Sequence, residues 1–268
     1  MNNRHLGYGM NNNTDRNWLL LRGLTRESGH WGDFLIQLQQ AFPHAQINTL
    51  DLPGSGIYYS QTSPDSIAEI TQQLRQQAQQ NGWLQPKTTL LTLSLGGMVA
   101  WEWMQQYPDD INSAVLMNSS LASVNPFYQR LRWQSYWKLA RIVVQSDCYQ
   151  RELAIVKLVS NSESHYVKIA AEWEQIQLMR PVSQKNALRQ IIAAANYTPK
   201  LDKPSVPVLL LNGLGDRLVS PCCSLSISKR WTLPLISHPW AGHDLCIDDS
   251  KWVIEQLLQW QDQKVPVT

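Results

Sequence analysis

Short apolar runs alternate along the chain with longer segments whose apolar residues recur every three or four positions. The runs at 18–22, 46–50, 88–93, 113–117, 208–212 and 233–238 have the length and composition of strands, the most apolar of them of buried ones. The intervening segments 31–42, 64–80, 95–107, 221–231 and 251–261 carry helical periodicity. Ser63 is the expected N-cap of the second, with Pro64 at its first helical position, and Pro108 closes the third. Strands alternating with helices predict an α/β fold, a mostly parallel central sheet covered on both faces.

The alternation stops between 121 and 200, where no strand is expected and Trp133, Trp137, Ala140 and Val144 form one helical stripe. The pattern predicts a tail at 1–15, a core made of 16–120 and 201–268, and a helical cap at 121–200 inserted between two strands. A merely additional packed layer fits the same periodicity.

Composition narrows this picture. A chain of 268 residues, 43% hydrophobic, can build one well-covered core. Net charge is +2, so no global field marks a nucleic-acid binder. Four cysteines do not make a disulfide framework in a chain this long, and a reducing compartment is expected. The polar start has no apolar leader pattern and no run approaches a membrane span, so a cytoplasmic protein without a membrane partner is expected. The cap is basic, with eleven Lys and Arg against five Asp and Glu, a surplus of +6 that leaves −4 for the rest. Two readings stay open: solvated helix faces, or steering of an anionic substrate such as a carboxylated ester or a phosphopantetheine carrier. Likewise Trp133, Trp137 and Trp173 are either core or the lining of an acyl channel.

The sharpest local signal is Thr92-Leu93-Ser94-Leu95-Gly96-Gly97, where an apolar strand meets a helix. A serine on such a turn stands clear of the sheet, and small residues must follow because strand and helix backbones nearly touch. A serine hydroxyl needs a base, and the base an orienting carboxylate. Downstream, the apolar strand at 208–212 runs into Gly213-Leu214-Gly215-Asp216, and Gly242-His243 follows the last strand. Both positions lie at strand carboxyl ends, where sites of open sheets gather. The expected roles are Ser94 nucleophile, His243 general base and Asp216 its partner. His238 is the competing base, set aside because it precedes Pro239 within an apolar run. No cofactor is expected. Gly213-x-Gly215 and Gly54-x-Gly56 lack a dinucleotide context, and neither Cys222-Cys223 nor the histidines have zinc-ligand spacing.

On these motifs, from about Trp18 to Trp260, the chain resembles the α/β-hydrolase superfamily, in its small capped serine carboxylesterase group that includes pimeloyl-ester carboxylesterases. The resemblance implies an oxyanion hole from the backbone N–H groups of Leu24, after the turn Arg22-Gly23, and of Leu95. Trp31 matches an aromatic of the same family, and Asp51-Leu52-Pro53-Gly54-Ser55-Gly56 resembles its structural turn. Two positions depart from the family's pattern: Arg22 stands where a histidine is usual, and Thr92 where a glycine is. The resulting expectation is a hydrolase cleaving a small carboxylic ester through an acyl-enzyme. The alternatives are an acyl thioesterase or acyltransferase on the same residues, lyase or cofactor-free oxygenase chemistry, and a ligand-binding protein on a hydrolase scaffold.

Overall fold

A computed structural model describes residues 17–264; the expected tail at 1–15 lies outside them. Six strands, β1 (Asn17–Leu21), β2 (Gln46–Leu50), β3 (Thr88–Leu93), β4 (Ile111–Met117), β5 (Val208–Gly213) and β6 (Leu235–His238), form one sheet. Their order is β2-β1-β3-β4-β5-β6 and every pairing is parallel. The apolar runs sort by the two-residue period of a strand. Leu19, Leu21, Leu90 and Leu210 enter the core on one face, while Trp18, Leu20, Leu91, Leu93, Leu209 and Leu211 enter the core on the other.

Helices α1 (Phe34–Ala41), α2 (Ile67–Gln80) and α3 (Leu95–Gln106) connect the first four strands. Beyond β5 lie α9 (Cys222–Trp231), α10 (Leu245–Asp248) and α11 (Ser250–Lys264). Two expectations shift here. The segment predicted as one helix from residue 31 is a 3-10 turn, Ser28–Trp31, broken at Gly32 before α1 begins. Ser63 is not a cap: α2 starts at Ile67, after an extended Ser66. Ser63 is fully buried, its N–H donating to Asn186 Oδ1 (3.0 Å) and its hydroxyl to Pro64 O (3.1 Å). A tertiary contact has taken the groups a cap would use.

Between the adjacent strands β4 and β5 the described chain is helical and contains no strand. It comprises α4 (Phe127–Arg130), α5 (Tyr136–Val144), α6 (Cys148–Val159), α7 (Tyr166–Met179) and α8 (Gln184–Asn196). This insert has its own apolar centre around Val156, Tyr166, Ala170 and Trp173. The stripe Trp133, Trp137, Ala140 and Val144 is a third correction, because it faces outward, with Trp137 73% exposed. The inward side of α5 carries Leu139 and Ile142 instead.

Buried polar contacts fasten the insert to the sheet. Arg26 pairs with Glu152 of α6 (2.7 Å), and Glu27 with Arg180 after α7. Gln190 of α8 accepts from Thr25 N–H (2.9 Å) and donates to Ser55 Oγ (3.1 Å). The Asp51 carboxylate accepts from Ser28 N–H (2.7 Å) and Ile57 N–H (3.0 Å), so that turn is structural.

Candidate active site

Ser94 ends β3 and heads α3 with φ +56° and ψ −116°. Such a backbone costs a residue with a side chain about 1–3 kcal/mol, and it persists only where the surroundings impose it. They do so here. A Cβ at Gly96 would lie 2.7 Å from Leu21 O and 2.8 Å from Arg22 O, so only glycine lets α3 start against the end of β1. Thr92 fits the elbow without displacing it: its buried hydroxyl donates to Val115 O on β4 (3.1 Å).

The turn after β1 runs beside the serine. A Cβ on Gly23 would lie 3.0 Å from Ser94 Cβ and 3.6 Å from its hydroxyl oxygen. Leu24 follows directly, and Leu95 is the first residue of α3, where a backbone N–H has no partner within the helix. Arg22, in the position expected to depart from histidine, is buried. Its guanidinium makes a two-pronged ion pair with Asp244 and lies 4.7 Å from the ring centroid of Trp31.

On the opposite side, His243 Nδ1 is 2.7 Å from Asp216 Oδ2, and both side chains are buried. The other Asp216 oxygen accepts from Leu218 N–H (2.8 Å) and Val219 N–H (2.9 Å), which fixes the carboxylate plane. Donation from Nδ1 leaves Nε2 with its lone pair free to take a proton. His238 serves a different purpose. Its Nδ1 accepts from Ala241 N–H (3.0 Å) and its Nε2 faces Asp249 (3.2 Å), shaping the turn that leads to His243.

Two groups that hold this arrangement carry no sequence motif. Asn118, at φ +47° just after β4, donates from Nδ2 to Gly242 O (3.1 Å) and His243 O (2.7 Å) and accepts from Gly213 N–H (3.0 Å). It thereby ties the His243 loop to the strand that bears Asp216. Asp248 accepts from Gly242 N–H (2.6 Å), Ser160 Oγ (2.5 Å) and Asn161 N–H (3.0 Å), joining the same loop to the end of α6. Burial raises the Asp248 carboxyl above its ordinary range, against these hydrogen bonds, which lower it. The Asp216 loop is held likewise by Arg132, whose side chain donates to Asp216 O (2.6 Å).

Ser94, Leu24, Arg22 and His243 line one cavity of about 670 Å³ between sheet and insert. Its walls are mainly apolar and come from Leu139, Ile142, Ile155, Leu158, Leu188 and Ile191. Trp173 also lines it, 4.7 Å below the Arg26 guanidinium, whereas Trp133 and Trp137 stand exposed outside its lining. Among the described residues no three His, Cys, Asp or Glu side chains are grouped to hold a metal ion.

The sequence profile of the Hydrolase_4 family, described as serine aminopeptidase, S33, matches residues 19–238, from β1 to the end of β6. The chain belongs to this family. As a Hydrolase_4 member it is an α/β-fold hydrolase, and solved structures share its architecture. An enol-lactonase from Burkholderia xenovorans LB400 superposes with a TM-score of 0.72 at 14% identity, over 92% of each chain. A thermophilic esterase from Thermogutta terrifontis gives 0.67 at 16% identity, over 92% of this chain and 89% of the other. An α/β-hydrolase fold protein from Chitinophaga pinensis gives 0.71 at 19%, over 92% and 90%. No curated protein matches the sequence.

Proposed function

We propose that this chain hydrolyses carboxylic esters with an apolar acyl group, using Ser94, His243 and Asp216 as a catalytic triad. The observation that carries the reading is the convergence on one apolar cavity of a strained, helix-heading serine and a histidine already paired to a buried aspartate.

In this mechanism Ser94 Oγ attacks the ester carbonyl carbon while His243 Nε2 takes the hydroxyl proton. Asp216 holds the imidazole in the tautomer that accepts there and stabilises the imidazolium that forms. Charge gathers on the carbonyl oxygen, which the N–H groups of Leu24 and Leu95 receive. Such a donor is worth about 3 kcal/mol in the transition state. Collapse breaks the C–O bond, and His243 returns its proton to the departing alcohol. Water then attacks the acyl-enzyme with the same histidine as base, releasing the acid and the free serine. The insert acts as a cap, its α5, α6 and α8 side chains enclosing the acyl chain.

A fluorophosphonate probe tests the nucleophile. Wild type should label at Ser94 and Ser94→Ala should not, with the same thermal midpoint. Absence of labelling in folded wild type would instead favour a ligand-binding protein. Parallel turnover of p-nitrophenyl esters and acyl thioesters separates esterase from thioesterase chemistry.

A further inference from the structure

The stripe of Trp133, Trp137 and Val144 is unused by the cavity and stands in solvent, 65%, 73% and 80% exposed. It is not isolated. Phe127 and Tyr128 of α4 are exposed beside it, and the rings of Phe127 and Tyr136 lie 6.2 Å apart. Val143 of α5, with Leu188 and Ile191 of α8, is exposed and also lines the pocket. Through Val143 the face reaches the lining of the cavity.

Its charge has one sign. The sequence has no Asp or Glu between Asp110 and Asp147, but four cations, Arg130, Arg132, Lys138 and Arg141. Arg130 and Arg132 turn their guanidinium groups onto the carbonyls of Ala194 and Asp216. Lys138 and Arg141 are exposed, and among the described residues neither has a carboxylate within ion-pair distance. Exposed tryptophans flanked by unpaired cations suit the boundary of an anionic bilayer, where indole rings settle among headgroups and Lys and Arg meet phosphates. A second copy of this chain fits less well, because a twofold contact through this segment would oppose cations with no acidic residue to meet them.

We infer that α4 and α5 form a docking surface for anionic glycerophospholipid bilayers, with the cavity mouth turned toward the lipid. This departs from the sequence-based expectation of no membrane partner. That expectation rested on the lack of a spanning segment. No described helix is long and apolar enough to cross a membrane, but surface docking requires none.

Flotation of the full chain with phosphatidylcholine vesicles, with and without phosphatidylglycerol, decides the matter. Wild type should float with the anionic vesicles, and added salt should release it. Lys138→Gln/Arg141→Gln should weaken partitioning roughly tenfold or more. Trp133→Ser/Trp137→Ser should abolish flotation while keeping the thermal midpoint and the turnover of a soluble ester. Ser94→Ala should float as wild type does, so docking and hydrolysis stand or fall separately. Wild type left unfloated by either vesicle, or the Lys138/Arg141 and Trp133/Trp137 double variants floating as well as wild type, would overturn the inference. So would a concentration-dependent dimer that the double tryptophan substitution dissolves without any lipid binding.

Discussion

Arg22 and Asp244 each sit close in the chain to a group in the proposed mechanism: Arg22 two residues before Leu24, Asp244 one residue after His243. Their buried ion pair ties the Gly23-Leu24 turn to the loop that carries His243. Breaking such a pair from one side strands a charge in a dry interior, at a cost of about 3–5 kcal/mol, whereas a packed apolar pair of similar volume is often neutral. Urea unfolding of Arg22→Met should therefore show a loss of roughly that size, and Arg22→Met/Asp244→Leu should recover most of it. Equal losses in both variants would mean that packing against Trp31, not charge, is what Arg22 supplies. Asn118 and Asp248 illustrate why part of the site was illegible in the sequence. Each works through backbone groups of loops distant in the chain, and no spacing rule brings them together. The placement of Ser94, Asp216 and His243 beyond strand ends is legible because each follows an apolar strand run, and as the proposed triad their residue types are those the chemistry requires.

At the scale of elements, the 3-10 turn Ser28–Trp31 is where the sheet meets the insert. His30 is buried there, its ring 5.0 Å from that of Trp173. Nε2 lies 2.9 Å from the Arg26 guanidinium, which has only protons to offer, and Nδ1 lies 3.1 Å from Glu27 N and 3.3 Å from Glu27 O. Burial, then the charges of Arg26 and Arg22, hold the His30 pKa well below 6.5. The sign follows from proton binding: an unfolded chain protonates this histidine first, so stability falls as pH drops through about 6.5 and stops falling only at the depressed folded value. Thermal midpoints between neutral and mildly acidic pH should decline for wild type and decline less for His30→Gln, whose carbonyl still accepts from Arg26. β1, β3, β4 and β5 are legible to within two residues because buried parallel strands are nearly continuous apolar runs. The outward stripe at 133–144 is neither core nor channel lining, since periodicity reports that a face exists and not which neighbour it meets.

For the whole molecule, the apolar cavity sets a preference among substrates. Each methylene moved from water into such walls contributes about 0.8 kcal/mol, or roughly fourfold in kcat/KM at most. A p-nitrophenyl ester series should rise steeply from acetate to octanoate, and a flat series would place the acyl chain outside the cavity. The insert that walls this space has a further consequence. It grows from between two neighbouring strands and grips the loops of Asp216, through Arg132, and of His243, through Ser160 and Asp248. Excising residues 121–200 would thus not bare a working catalyst with a wider mouth. The shortened chain should lose fluorophosphonate labelling, because the part that looks like a cover is also the brace that keeps Asp216 and His243 face to face.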